Sequence, residues 1–155
     1  MTWIVMAALA IIAAYFTFLQ ARSAAKPRIV IDILDQLVFD PGQEARVKIS
    51  LHNRPYFYAK PAATNVGAYV NVDAAVQPLR LLFGAALSNV HDQVKIGKNN
   101  SRCLSASGIV LLPHQSESIE WHAKMPTTSG RYQFWIDVVT AEGSNATHAT
   151  TLRVR

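Results

Sequence analysis

The sequence predicts an antiparallel β-sandwich carried on a single N-terminal membrane-spanning helix. Three observations predict it: an uncharged apolar run over Thr2–Leu19, an apolar–polar alternation of period two that recurs from residue 28 onward, and turn residues between the alternating runs. The expected organisation is an anchor helix over residues 1–21, a basic juxtamembrane linker over 22–27 and the sandwich over 28–155. A chain of 155 residues holds one such domain and little more.

The first element reads TWIVMAALAIIAAYFTFL, 18 residues without a charge. As a helix it spans roughly 27 Å, close to the hydrocarbon thickness of a bilayer. In lipid a lone segment must satisfy its own backbone, so a helix is the form it takes. Trp3 and Tyr15 suit the two interfaces, and Gln20, Arg22 and Lys26 mark the exit into headgroups. A soluble helix would show a polar face, which Thr2 and Thr17 alone do not make. Ser23-Ala24-Ala25 would serve as a signal-peptide cleavage site, but the segment before the apolar run carries no base, so a retained anchor is expected. Ala7, Ala10 and Ala14 fall on one stripe, where a second helix can approach closely.

The net charge of +5 follows from this collar: Arg22, Lys26 and Arg28 precede the first acid, Asp32, leaving twelve bases against ten acids beyond them. No nucleic-acid face is expected. One cysteine, Cys103, excludes an internal disulfide.

Beyond the linker, Val47, Ile49 and Leu51 alternate with Arg46, Lys48 and His52. Ile119, Trp121 and Ala123 form a second apolar row, Tyr132, Phe134, Ile136 and Val138 a third, and Thr150, Leu152 and Val154 a last one. An alternating face means a sheet with one wet side, hence antiparallel pairing. Asp40-Pro41-Gly42, Pro126–Gly130 and Glu142–Asn145 supply the turns. Weaker strand candidates lie at 28–33, 68–72, 79–83, 93–96 and 109–112, making seven to nine strands, while Gly97–Gly108 reads as an exposed loop or hairpin.

Pro41-Gly42-Gln43-Glu44-Ala45-Arg46-Val47, ending in His52-Asn53, resembles the opening of bacterial immunoglobulin-like domains of the CARDB-like and fibronectin-like kinds. Leu112–Ile119 and the later Gly130-Arg131-Tyr132-Gln133-Phe134 share that resemblance. It implies an immunoglobulin-like sandwich over residues 28–155 and, by analogy, an adhesion, assembly or spacer role without catalytic residues.

No chemistry-bearing constellation stands out. Cys103, His91, His114, His122, His148 and Met125 are the candidates for a copper site, and they lack compact spacing; His122 falls on the polar face of its strand. A catalytic Cys103 beside Arg102 is the weaker option. No cofactor or metal is expected, and no enzyme. The aromatics carry more: Tyr56, Phe57 and Tyr58 sit between Arg54 and Lys60 in a proline-framed loop, and Trp135 points away from the Phe134 row. These are the expected interface residues, for protein neighbours or lipid headgroups. The expected partners are other subunits of a membrane complex, of respiratory or photosynthetic type, and the bilayer. A pilin-like or adhesion filament subunit is the alternative, and a membrane-anchored copper protein a further one. The bases after the helix place the domain in the cytoplasm by the positive-inside rule, whereas a domain of this kind is usually displayed outside; an extracytoplasmic domain is expected.

Overall fold

The computed structural model of the chain describes residues 2–56, 61–83, 90–96 and 101–155, with the backbone alone for residues 2, 23, 83, 90–96 and 101–107. Helix α1 runs Thr2–Ser23. Trp3–Arg22 is long and apolar enough to cross a membrane, with mean hydropathy 2.1 and none of it buried against the rest of the chain. Its apolar side chains lie all round the helix. The Thr17 hydroxyl is satisfied internally, because its Oγ1 donates to the Ala13 carbonyl at 2.8 Å.

Ten strands follow: β1 (Ile29–Ile33), β2 (Val38–Phe39), β3 (Glu44–Asn53), β4 (Ala63–Asp73), β5 (Gln77–Phe83), β6 (Val90–Ile96), β7 (Ser101–Leu111), β8 (Ser116–Lys124), β9 (Gly130–Val139) and β10 (Asn145–Val154). They form a four-stranded sheet in the order β1-β3-β8-β5 and a six-stranded sheet in the order β2-β10-β9-β4-β7-β6. Pairing is antiparallel throughout except for the two-residue β2, which lies parallel to the end of β10. The chain is an immunoglobulin-like β-sandwich behind an apolar helix.

The predicted rows make the core. Val47, Ile49 and Leu51 on β3 and Ile119, Trp121 and Ala123 on β8 are buried, facing Phe134, Ile136 and Val138 on β9 and Leu152 and Val154 on β10. Tyr132 packs half-buried at the margin, and its hydroxyl donates to the Thr128 carbonyl at 2.7 Å. Burying each large apolar side chain stabilises the fold by about 1.5–3 kcal/mol. At the centre Trp121 meets Phe134 across the two sheets, ring centroids 4.9 Å apart.

Two turns share one construction. In Asp40-Pro41-Gly42-Gln43 the Gln43 amide donates to the Asp40 carbonyl at 3.2 Å, and the Gln43 side chain accepts from the Asp40 amide at 2.9 Å. In Leu112-Pro113-His114-Gln115 the equivalent bonds are 3.0 and 2.9 Å. Both place their third residue at positive φ, +71° at Gly42 and +63° at His114. That position of a type II turn favours glycine, so His114 is a strained choice.

Residues 101–108, expected in a loop or hairpin, belong to strand β7, paired with β4 on one side and β6 on the other. The polar sequence shows no alternation of its own; the strand exists because β4 offers it a ladder. Pro78 inside β5 is accommodated because β5 is the edge of its sheet and its register shifts between Pro78 and Arg80.

Candidate functional site

Topology sorts the loops into two ends. The linker, β3–β4, β7–β8 and β9–β10 connections lie at the end where the helix enters; the Asp40, Asp73–Val76 and Pro126 turns lie at the far end.

The linker does not hang free of the sandwich. Pro27 is buried and its carbonyl accepts from the Ser144 hydroxyl, while the Arg28 carbonyl accepts from the Arg54 amide at 2.8 Å. The β9–β10 turn that clasps it needs Gly143, at φ +73°, and a Cβ there would stand 3.4 Å from Lys26 Nζ. Beside it Glu142 ties the turn to β4. Slight burial works to raise its pKa, but hydrogen bonds from the hydroxyl and amide of Thr64, its own amide and the Thr140 hydroxyl outweigh that and hold the carboxyl below its ordinary range. Thr64 is aimed there by a bulge at Asn65, whose φ is +45°.

Of the expected interface residues at this end, Arg54 and Tyr56 are exposed, Tyr56 by 53%, and the Arg28 guanidinium lies 5.8 Å from the Tyr56 ring centroid. Leu112 in the neighbouring turn is 56% exposed. Phe57, Tyr58 and Lys60 lie outside the described residues. Asn53 holds the loops together from within. It is fully buried, and its amide nitrogen donates to the carbonyls of Pro61 at 2.9 Å and Leu111 at 3.0 Å.

Trp135 is elsewhere, half-buried on the outer face of the six-stranded sheet. Ala149 on β10 and Asn71 on β4 are its cross-strand partners. It borders a depression of about 400 Å³ lined also by Gln133, Thr150 and Thr151. Exposed Tyr69 and the hydrogen-bonded trio of Asn71, Asp137 and Thr147 continue this face, with Asn71 Nδ2 and Thr147 Oγ1 donating to the two Asp137 oxygens at 3.0 and 2.8 Å.

On the helix, Ala7, Ala10 and Ala14 are exposed on one stripe, Trp3 and Tyr15 are 87% and 60% exposed, and Arg22 lies in the last turn.

The copper candidates disperse. His114 lies at the helix-proximal end, Met125 is buried at the far end, and His148 sits half-buried at the level of Ile136. The side chains of His91 and Cys103 are outside the description. Among the described residues no group of three His, Cys, Asp or Glu gathers in a metal-binding arrangement. His122 is on the outer face of β8, as its position in the alternation implies, yet it is 1% exposed rather than solvated. Glu120 at 2.6 Å and Arg80 at 3.4 Å on the ring nitrogens cover it from the same strand and the next. A cross-strand contact of this kind leaves no mark in local sequence.

A second arrangement also goes unannounced by the sequence. His52 joins three strands on the outer face of the four-stranded sheet, with Nδ1 at 2.6 Å from Ser116 Oγ and Nε2 at 3.0 Å from Ser50 Oγ and 3.3 Å from Asp32 Oδ2. A serine, a histidine and an aspartate in hydrogen-bond sequence resemble the parts of a hydrolytic relay, here set across three neighbouring strands of one sheet. The separation of 64 positions between His52 and Ser116 hides the pairing.

These features define a helix-borne immunoglobulin-like sandwich with an aromatic outer face. Comparisons with solved structures agree on the fold. AvmM, which catalyses macrocyclization in alchivemycin A biosynthesis, superposes with a TM-score of 0.59 at 9% identity, over 81% of this chain and 88% of that one. The CARDB domain of a Pyrococcus furiosus protein, in complex with di-metal ions, gives 0.54 at 12% identity, over 83% and 89%. A non-cellulosomal cohesin from Archaeoglobus fulgidus gives 0.51 at 12%, over 83% and 91%. No protein-family model and no curated protein matches the sequence. Identities this low show a shared fold alone, and what these proteins catalyse or bind stays with them.

Proposed function

We propose that the chain is a non-catalytic, single-pass accessory subunit that stabilises or assembles a larger membrane complex, of respiratory or photosynthetic type, through its helix and its extracytoplasmic sandwich. The observation that carries this reading is Trp135. Its strand alternates Phe134 and Ile136 into the core, so the indole is committed to the opposite face, where Gln133, Asn71, Thr147 and Thr151 ring it with polar groups. A large aromatic inside a polar rim is the anatomy of an interface centre. The Ala7/Ala10/Ala14 stripe offers the membrane counterpart, a place for a neighbouring helix to approach closely. A filament subunit needs a helix that continues well past the span, whereas α1 stops at Ser23.

The test is native electrophoresis of a mild-detergent extract. The chain should migrate with an assembly far larger than its own 17.1 kDa. Trp135→Glu should release it while the far-ultraviolet circular dichroism and the thermal unfolding midpoint of the sandwich stay close to wild type. A wild-type band of monomer size refutes the reading.

A further inference from the structure

We infer that the helix-proximal end of the sandwich, presenting Lys26, Arg28, Arg54, Tyr56 and Leu112, is a docking surface for the headgroups of anionic phospholipids. The inference uses the membrane span but not the protein docking at Trp135, so either can fail alone.

The argument is one of reach. Ala24 and Ala25 still bond back onto the helix, to the carbonyls of Gln20 at 3.0 Å and Arg22 at 3.4 Å. Pro27 and Arg28 are already fastened to Ser144 and Arg54. From Ser23 to Arg28 the chain extends at most roughly 17 Å, and the coiled start shortens it. A headgroup layer occupies roughly 5–8 Å on each side of the hydrocarbon. With α1 spanning the bilayer, this end of the sandwich is therefore kept beside the headgroups.

The side chains presented there match that environment. Arg22, Lys26, Arg28 and Arg54 are all exposed. The nearby carboxylates are engaged: Glu142 with Thr64, Asp32 with His52, and Glu117 with the Gln115 side-chain amide at 3.4 Å. Tyr56 under the Arg28 guanidinium offers an apolar body with a polar tip, suited to a wet–dry boundary, and Leu112 offers a short apolar insertion. Each base near an anionic surface shifts the contact equilibrium roughly fivefold.

The experiment is hydrogen–deuterium exchange by mass spectrometry on the full chain in nanodiscs of phosphatidylcholine alone, or of phosphatidylcholine with 30% phosphatidylglycerol. In the anionic discs, peptides covering residues 52–56 and 112–116 should exchange at least about fivefold more slowly, while the far-end turns at 40–43 and 125–130 are unchanged. The double variant Arg28→Gln/Arg54→Gln should lose the difference, and Arg28→Lys/Arg54→Lys should keep it. Should the glutamine variant unfold, the wild-type comparison still decides. Equal exchange in both discs, or equal slowing at both ends, overturns the inference. So does protection that appears only in native membranes, which would assign this end to a protein neighbour.

Discussion

Asn53 offers the sharpest test of how the helix-proximal loops are held. It ends β3, is fully buried, and spends its side-chain amide on the carbonyls of Pro61 in the β3–β4 connection and Leu111 at the end of β7. Its own backbone amide and carbonyl pair with Gln115 and His114 at 3.0 and 2.8 Å, so one residue ties three segments. Replacement by alanine removes two neutral hydrogen bonds, about 1–1.5 kcal/mol each. Part is returned, because Asn53 Oδ1 is buried without a partner among the described residues and its desolvation disappears with it, roughly 1 kcal/mol. The small void left behind costs a further few tenths, for a net loss of about 2 kcal/mol, or about 6 °C in Tm for a domain of this size. Asn53→Asp should be worse, since it keeps the volume, loses both donors and buries a charge. The assay is thermal unfolding of the full chain in detergent, followed by near-ultraviolet circular dichroism, which reports sandwich packing and is blind to a helix preserved in the micelle. If Asn53→Ala unfolds within 1 °C of wild type, or if aspartate is tolerated better than alanine, the amide does not hold these loops.

Other consequences follow from single contacts. His114→Gly should stabilise the β7–β8 turn by up to about 1 kcal/mol, and Gly42→Ala should cost about 1 kcal/mol in its counterpart, both read by denaturant midpoint. Glu142 is held below its ordinary 4.5 in the folded chain, so it contributes stability above that pH and loses the contribution as pH falls through its folded value. Glu142→Gln should therefore be less stable than wild type at neutral pH, with the gap closing below pH 4.5. If Ser116, His52 and Asp32 only brace their sheet, the full chain should cleave p-nitrophenyl acetate no faster than Ser116→Ala; a tenfold difference would make it an enzyme.

Much of the fold was legible because burial on one face writes a period of two into the sequence. The rows through Val47, Trp121, Phe134 and Leu152 are the core, and Pro-Gly and Glu-Gly pairs mark turns that the structure builds. The end of β7 at 109–111 was legible as a strand, but its first part was not, since Ser101–Ser105 earn their place by pairing with Asp73–Tyr69 on β4. The candidate surfaces divide the same way. That Trp135 faces outward follows from its neighbours' alternation. That Arg28 reaches Tyr56, that Ser144 clasps Pro27, and that His122 is covered by Arg80 depend on which strands lie side by side, a matter of long-range topology.

By itself the sequence determined a membrane-length apolar helix, an antiparallel sandwich and the residues that fill it, because hydrophobic burial and turn chemistry act over a few residues. Only the tertiary structure decided which loops share the end nearest the helix, how the linker is fastened there, and which polar side chains meet across strands. Those contacts join segments dozens of residues apart, and no local pattern records them.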